Sequence, residues 1–175
     1  MRWSSWLAAA LMACASLVPA ACSSENDRWE GAQKSAEVKA EARAEAKAKG
    51  ELPKAAEGDS LNKFFPADDT DGLKRTFDQE KEGFVQATFQ KDGAKATLSI
   101  SDVVQNEDAV KKFSDATEKL GDDPLTTVGK NQTTALIAKR WQIKVSSQDM
   151  DHAARTALLG KFDLAGLRAF NPSTK

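Results

Sequence analysis

The feature that most constrains the fold is the stretch from Val85 to Ser101, where two alternating runs flank Asp92-Gly93. Val85, Ala87 and Phe89 alternate with Gln86, Thr88 and Gln90. Beyond the turn, Ala94, Ala96, Leu98 and Ile100 alternate with Lys95, Thr97, Ser99 and Ser101. Period-two alternation sends the two sets to opposite faces of a strand. A two-residue Asp-Gly loop matches the twist of a hairpin and pairs 89 with 96, 87 with 98 and 85 with 100. Every apolar residue then falls on one face, and a slip of one residue would turn the whole set to water. The chain is committed to a half-buried antiparallel sheet.

The same reading places a strand at Leu73–Gln79 and, after Pro124, strands at Leu125–Gly129, Thr133–Ile137 and Trp141–Ser147. Leu61, Phe64 and Phe65 lie at i, i+3 and i+4 behind Asp59-Ser60, which predicts a short helix stopping at Pro66. Asn106 is placed to cap a helix carrying Ala109, Val110, Phe113, Ala116 and Leu120 and ended by Gly121. Met150, Ala154, Ala157, Leu158 and Phe162 mark a last long helix, with a terminal turn over Asp163–Leu167. The order predicts an α+β fold: one antiparallel sheet of five to six strands with two main helices on one face, suggesting a ββα pseudo-repeat.

Residues 33–49 are rich in strong helix formers. On a helix, Glu37, Glu41 and Glu45 form one row, and Lys39, Arg43 and Lys47 another. Like charges at i,i+4 repel, and alanine fills the rows between, so no apolar stripe exists to bury. This reads as a semi-rigid spacer, with a coiled-coil or cell-wall-binding helix as the alternative. Trp29 is placed at a membrane interface, in solvent or in local packing. Gly50, Pro53 and Gly58 predict a loose joint, dividing the chain into 1–21, 22–58 and 59–175.

The first 22 residues have a cationic start at Arg2, an uncharged apolar middle and the small-residue end Ala20-Ala21-Cys22, the pattern of a secretory signal peptide. Around Cys22 the chain resembles the lipobox of bacterial lipoproteins. Ala20 and Ala21 match its small residues, while Pro19 stands where that class prefers an aliphatic one. The resemblance implies cleavage before Cys22, a diacylglycerol on its thiol and an acyl chain on its amine. It also implies that Ser23 addresses the protein to the outer membrane, facing the periplasm. Cys14, after Leu11-Met12-Ala13, fits the motif too but leaves an h-region near the minimum of about 7 residues. Cleavage after Ala20 would instead give a soluble periplasmic or secreted chain. An uncleaved span would be poor in strongly apolar residues. The body, with its segment Phe162-Asp163-Leu164-Ala165-Gly166-Leu167, is similar to small secreted bacterial proteins, a likeness that implies no activity.

Loss of Arg2 with the signal leaves 24 basic against 26 acidic side chains, so no basic face is expected and nucleic acid is not an expected partner. With Cys22 acylated, no disulfide and no cysteine-ligated metal can form, and no cofactor is expected. His152, the one histidine, lies beside Asp149 and Asp151 on a polar helix side, without a serine elbow or free thiol to act on. It reads as an exposed residue. Asp68, Asp69, Asp71 and Gly72 evoke a calcium loop, but Ala67 occupies the first ligand position and Asp78 the twelfth; an Asp/Gly turn accounts for them. Glu80, Glu82, Asp122 and Asp123 read as solvated loop carboxylates rather than a glycosidase pair. Lys175 reads as a frayed polar end.

The expected function is a non-catalytic, lipid-anchored envelope protein that binds another envelope protein or the cell wall through the polar sheet face. An inhibitor or immunity protein is a sub-class of that reading. The alternatives are a periplasmic hydrolase using carboxylates or His152, and a purely structural tether.

Overall fold

In the computed structural model, which describes residues 23–50 and 52–172, the sheet has seven strands. They are β1 (Lys74–Lys81), β2 (Phe84–Lys91), β3 (Ala94–Asp102), β4 (Glu118–Leu120), β5 (Asp123–Val128), β6 (Gln132–Ile137) and β7 (Trp141–Ser146). Every pairing is antiparallel, in the order β1-β2-β3-β7-β6-β5-β4. Two meanders, β1–β3 and β4–β7, therefore meet where β3 pairs with β7, and each runs from its last strand into a helix. The α+β class holds, with seven strands where five to six were expected.

The central hairpin has the expected register, with Phe89 opposite Ala96, Ala87 opposite Leu98 and Val85 opposite Ile100. Asp92 and Gly93 both take positive φ, 48° and 86°, the backbone that a type I′ turn demands. Val85, Ala87, Phe89, Ala96, Leu98, Ile100, Trp141, Ile143 and Val145 are all buried in one core. Each large side chain removed from water there contributes about 1.5–3 kcal/mol before entropy is charged. β1 is an edge strand with charged, mostly exposed residues and a bulge between Phe77 and Gln79, features that discourage pairing with other chains.

The helices are shorter than their apolar spacing predicts. A 3₁₀ turn at Asp59–Phe64 buries Leu61 and Phe64, and Phe65 is already extended. Helix α2 runs only over Glu107–Lys111, capped by the Asn106 side chain. Ala116 lies beyond it in the irregular link to β4, and Leu120 belongs to β4. Gly121, φ 65°, is the hairpin turn between β4 and β5 rather than a helix end. Residues 118–120 gain more by pairing with β5 and bringing Leu120 to the main core than a frayed third helical turn could return. The last long helix is only α3 (His152–Leu159), capped by Asp151, and the separate terminal turn forms the short helix α4 (Leu164–Ala169), capped by Asp163.

Nor do both main helices share a face. Leu158, Leu159 and Leu167 join the main core with the 3₁₀ turn. Leu136 alternates away from Ala135 and Ile137 and is buried with Val103, Ala109 and Phe113 in a second, smaller cluster. Helix α2 thus covers one corner of the opposite face, beneath which Leu136 lies.

The folded body takes in residues ahead of Asp59. Ala56 is fully buried, and its N–H donates to Asp102 Oδ2 at 3.0 Å. The Asp102 carboxylate also accepts from Val104 N–H at 3.1 Å, Arg140 Nε at 3.1 Å and Arg140 Nη2 at 2.8 Å. Arg140 further donates to Lys54 O, and Gly83 N–H to Ala56 O. One buried carboxylate therefore fastens the incoming chain to the end of β3 and to Arg140, while backbone bonds of Gly83 join it to the β1–β2 turn.

The N-terminal unit is the helix α1 (Ser23–Ala48), 26 residues and about 39 Å long at 1.5 Å per residue. It starts ahead of the expected residue 33. Trp29 and Val38 are exposed. No helix among the described residues is long and apolar enough to cross a membrane. Residues 1–22, where a signal peptide with Cys14 and Cys22 was expected, and Lys175 lie outside the described residues.

Candidate functional site

His152 is the first residue of α3 and stands between two elements. Its Nε2 is 2.8 Å from Glu118 Oε2 on β4, and its Nδ1 is 3.2 Å from Thr133 Oγ1 on β6. The Thr133 hydroxyl also accepts from Arg155 Nε at 3.0 Å. With that lone pair taken, the neutral arrangement that satisfies every atom has Thr133 O–H donating to Nδ1 and Nε2–H donating to Glu118. A carboxylate–imidazole–hydroxyl order invites comparison with a nucleophilic triad. Thr133, however, is fully buried in the sheet, and its oxygen is engaged by a guanidinium. The cluster ties the edge strand β4 to α3. His152 is thus a half-exposed, bonded residue rather than the solvent-facing one expected.

Arg155, which the sequence did not single out, is 3% exposed and also donates to Met150 O. Nothing in the local pattern separates it from the helix's exposed polar residues.

The Asp68–Gly72 segment is a turn. Asp69, Asp71 and Gly72 take positive φ. Asp68 Oδ1 accepts from Arg75 N–H at 2.8 Å, and that hydrogen bond holds its carboxyl below the usual carboxylate range. Asp71 faces Lys161 at 3.5 Å. These carboxylates point to backbone and lysine, and no group of three His, Cys, Asp or Glu able to hold a metal occurs among the described residues.

Of the four carboxylates read as solvated, Glu80 is exposed and accepts from Asn62, while Glu82 and Asp122 are exposed. Asp123 departs from that expectation. It is 8% exposed, pairs with Arg168 and accepts from Ala138 N–H at 3.2 Å. It anchors α4 and the β6–β7 turn, where Ala138 and Lys139 both adopt positive φ.

The remaining candidate is the sheet face opposite the main core. Pairing aligns Thr76, Thr88, Thr97, Ser146 and Gln132 in one row across β1, β2, β3, β7 and β6. The next row carries Gln79, Gln86, Ser99, Lys144 and Thr134. Neighbouring strands lie about 4.8 Å apart, so hydroxyl and amide groups recur at that interval. Ser99 and Thr134 are buried within the second row, whereas Thr97, Gln132, Lys144 and Ser146 keep part of their surface in water.

At the first row the face deepens into a cavity of about 520 Å³ lined by Lys95, Thr97, Asn131, Gln132, Ser146, Ser147, Gln148 and Asp149. Part of its lining is held by long-range bonds. Lys95 N–H donates to Asp149 Oδ2 at 2.9 Å, Ser147 Oγ to Lys95 O at 2.7 Å and Ser147 N–H to Asn131 O at 2.9 Å. The sequence indicated this face through its alternation but missed the cavity, because Asn131 and Gln148 belong to connecting segments.

No known protein family, curated protein or solved structure matches the chain.

The cavity's mostly neutral lining of hydroxyls and amides, with Lys95 and Asp149 as the two charged groups, can exchange many hydrogen bonds with a polar ligand.

Proposed function

We propose that this is a non-catalytic binding protein of the bacterial cell envelope, anchored by lipid on Cys22 and carried on a helical spacer. The observation that supports binding is the polar sheet face. Thr97, Gln132 and Ser146 stand on three adjacent strands around a cavity in whose lining Ser147 and Asp149 are bonded to Lys95. The hydroxyls and amides of a rigid sheet give a preorganised surface, which lowers the entropy lost on association. The lipid reading is supported by the sequence around Cys22. The spacer reading is supported by the long α1 with its exposed Trp29 and Val38.

The test is the intact mass of the mature protein recovered from envelopes, alongside Cys22→Ala. A lipid-sized increase that disappears in Cys22→Ala, together with retention of the unsubstituted protein in the membrane fraction, is the expected result. A mature chain beginning at Ala21 without added mass would overturn the anchor. Failure of the soluble body to bind any envelope fraction would overturn the binding function.

A further inference from the structure

The cavity on the open sheet face carries a more specific reading of its ligand, which rests on the binding function proposed above. Its lining comprises three primary amides (Asn131, Gln132, Gln148), three hydroxyls (Thr97, Ser146, Ser147), one cation and one anion. Charge is balanced, so a phosphate-rich or strongly anionic ligand finds no net attraction. Asp149 is already engaged by Lys95 N–H, and Ser147 by Lys95 O and Asp149 N–H. That leaves the amides, Thr97, Ser146 and the Lys95 ammonium to meet a ligand. Amide side chains offer a donor and an acceptor side by side, which suits vicinal hydroxyls and acetamido groups.

The geometry narrows the class further. Thr97, Ser146 and Gln132 are in register on β3, β7 and β6, one about every 4.8 Å across the strands. That interval is close to the length of one sugar residue in an extended β-1,4-linked chain. Successive residues of such a chain laid across the strands would each meet one polar side chain. A volume of about 520 Å³ lies within the usual range for small-ligand sites, about 300–1,000 Å³. A peptide strand fits less well, because it would draw its affinity from a free sheet edge, and the cavity lies on central strands.

We propose that this cavity binds a neutral β-1,4-linked glycan bearing N-acetyl groups, the chemistry of a cell-wall backbone. The probe is the β-1,4-linked N-acetylglucosamine tetramer, titrated into the mature chain carrying Cys22→Ala and followed by amide chemical shifts. The expected result is saturable shifts confined to residues 95–97, 131–132 and 146–149. Asn131→Ala/Gln132→Ala should weaken binding at least tenfold with its melting temperature unchanged. Thr76→Ala, at the far end of the same row, should bind as the unsubstituted chain does. Absence of saturable shifts, or shifts that survive the double substitution, would overturn the assignment. Cosedimentation with purified cell-wall sacculi separates the two levels of the argument. Retention of the double variant equal to that of the parent leaves envelope binding standing and removes this cavity from it.

Discussion

Replacing Asp102 with alanine should be among the most damaging single changes in the body, and its size can be worked from four hydrogen bonds. The side chain is wholly buried, and its oxygens accept from Ala56 N–H, Val104 N–H, Arg140 Nε and Arg140 Nη2 at 2.8–3.1 Å. Removing one partner of a buried pair costs about 3–5 kcal/mol, mostly because the other charge is left uncompensated. Arg140 retains 20% side-chain exposure and can partly rehydrate, so the low end, about 3 kcal/mol, is expected. Against a total of about 5–15 kcal/mol for a domain, that is a large share. It corresponds to a fall in melting temperature of about 10–15 °C for a body of this size.

Urea and thermal unfolding monitored by circular dichroism measure the loss. Amide exchange locates it, because protection at Ala56 and Gly83 should fall while β5 and β6 keep theirs. Arg140→Ala should cost less, and the double substitution should cost clearly less than the sum. A loss below about 1 kcal/mol for Asp102→Ala, the size of an exposed ion pair, would refute the claim that this carboxylate fastens residues 53–57 to the sheet.

Further expectations concern other parts of the body. Gly58→Ala places a Cβ 2.6 Å from Lys81 O and 2.8 Å from Lys81 N, so the backbone must move; a loss of about 1–3 kcal/mol is expected in urea melts. Phe113→Ala should cost about 3 kcal/mol by emptying the small cluster under α2; an unchanged midpoint would show that α2 does not pack on Leu136. Asp68 has its carboxyl lowered by the Arg75 N–H, so its contribution is present above the unfolded value and lost as pH falls through the lower folded one. Asp68→Asn should therefore flatten the acid limb of stability below about pH 4, read as the melting temperature against pH. His152→Ala should cost about 1 kcal/mol through the lost bonds to Glu118 and Thr133 while leaving ligand binding intact; abolished binding would move the site to α3.

How much was legible beforehand follows from the range over which each instruction acts. Within the hairpin at Asp92-Gly93, the alternation and the turn chemistry agree over fewer than twenty residues, so register and core face could be read directly. The strands at Leu125, Thr133 and Trp141 were visible for the same reason. So was the polar face, because residues on it are the alternates of the core. Helix limits were not visible. The spacing of Ala109, Phe113, Ala116 and Leu120 suits a helix, but β5 competes for residues 118–120 and takes them. The face chosen by α2 depended on Leu136, some 25 positions along the chain. Asp123 reads as a loop residue until Arg168 is brought to it across 45 positions.

By itself the sequence determined the class of the fold, the central register and the division of the sheet into an apolar and a polar side. Those properties follow from local periodicity and from turns that few residue types can make. Tertiary structure decided where each helix stopped, which face it covered and where the polar side became a cavity. That cavity depends on Lys95 meeting Asp149 and Ser147 more than fifty residues away. No local pattern encodes such a meeting, because it is selected by the packing of the whole sheet, in which the last strands of the two meanders, β3 and β7, lie side by side at the centre.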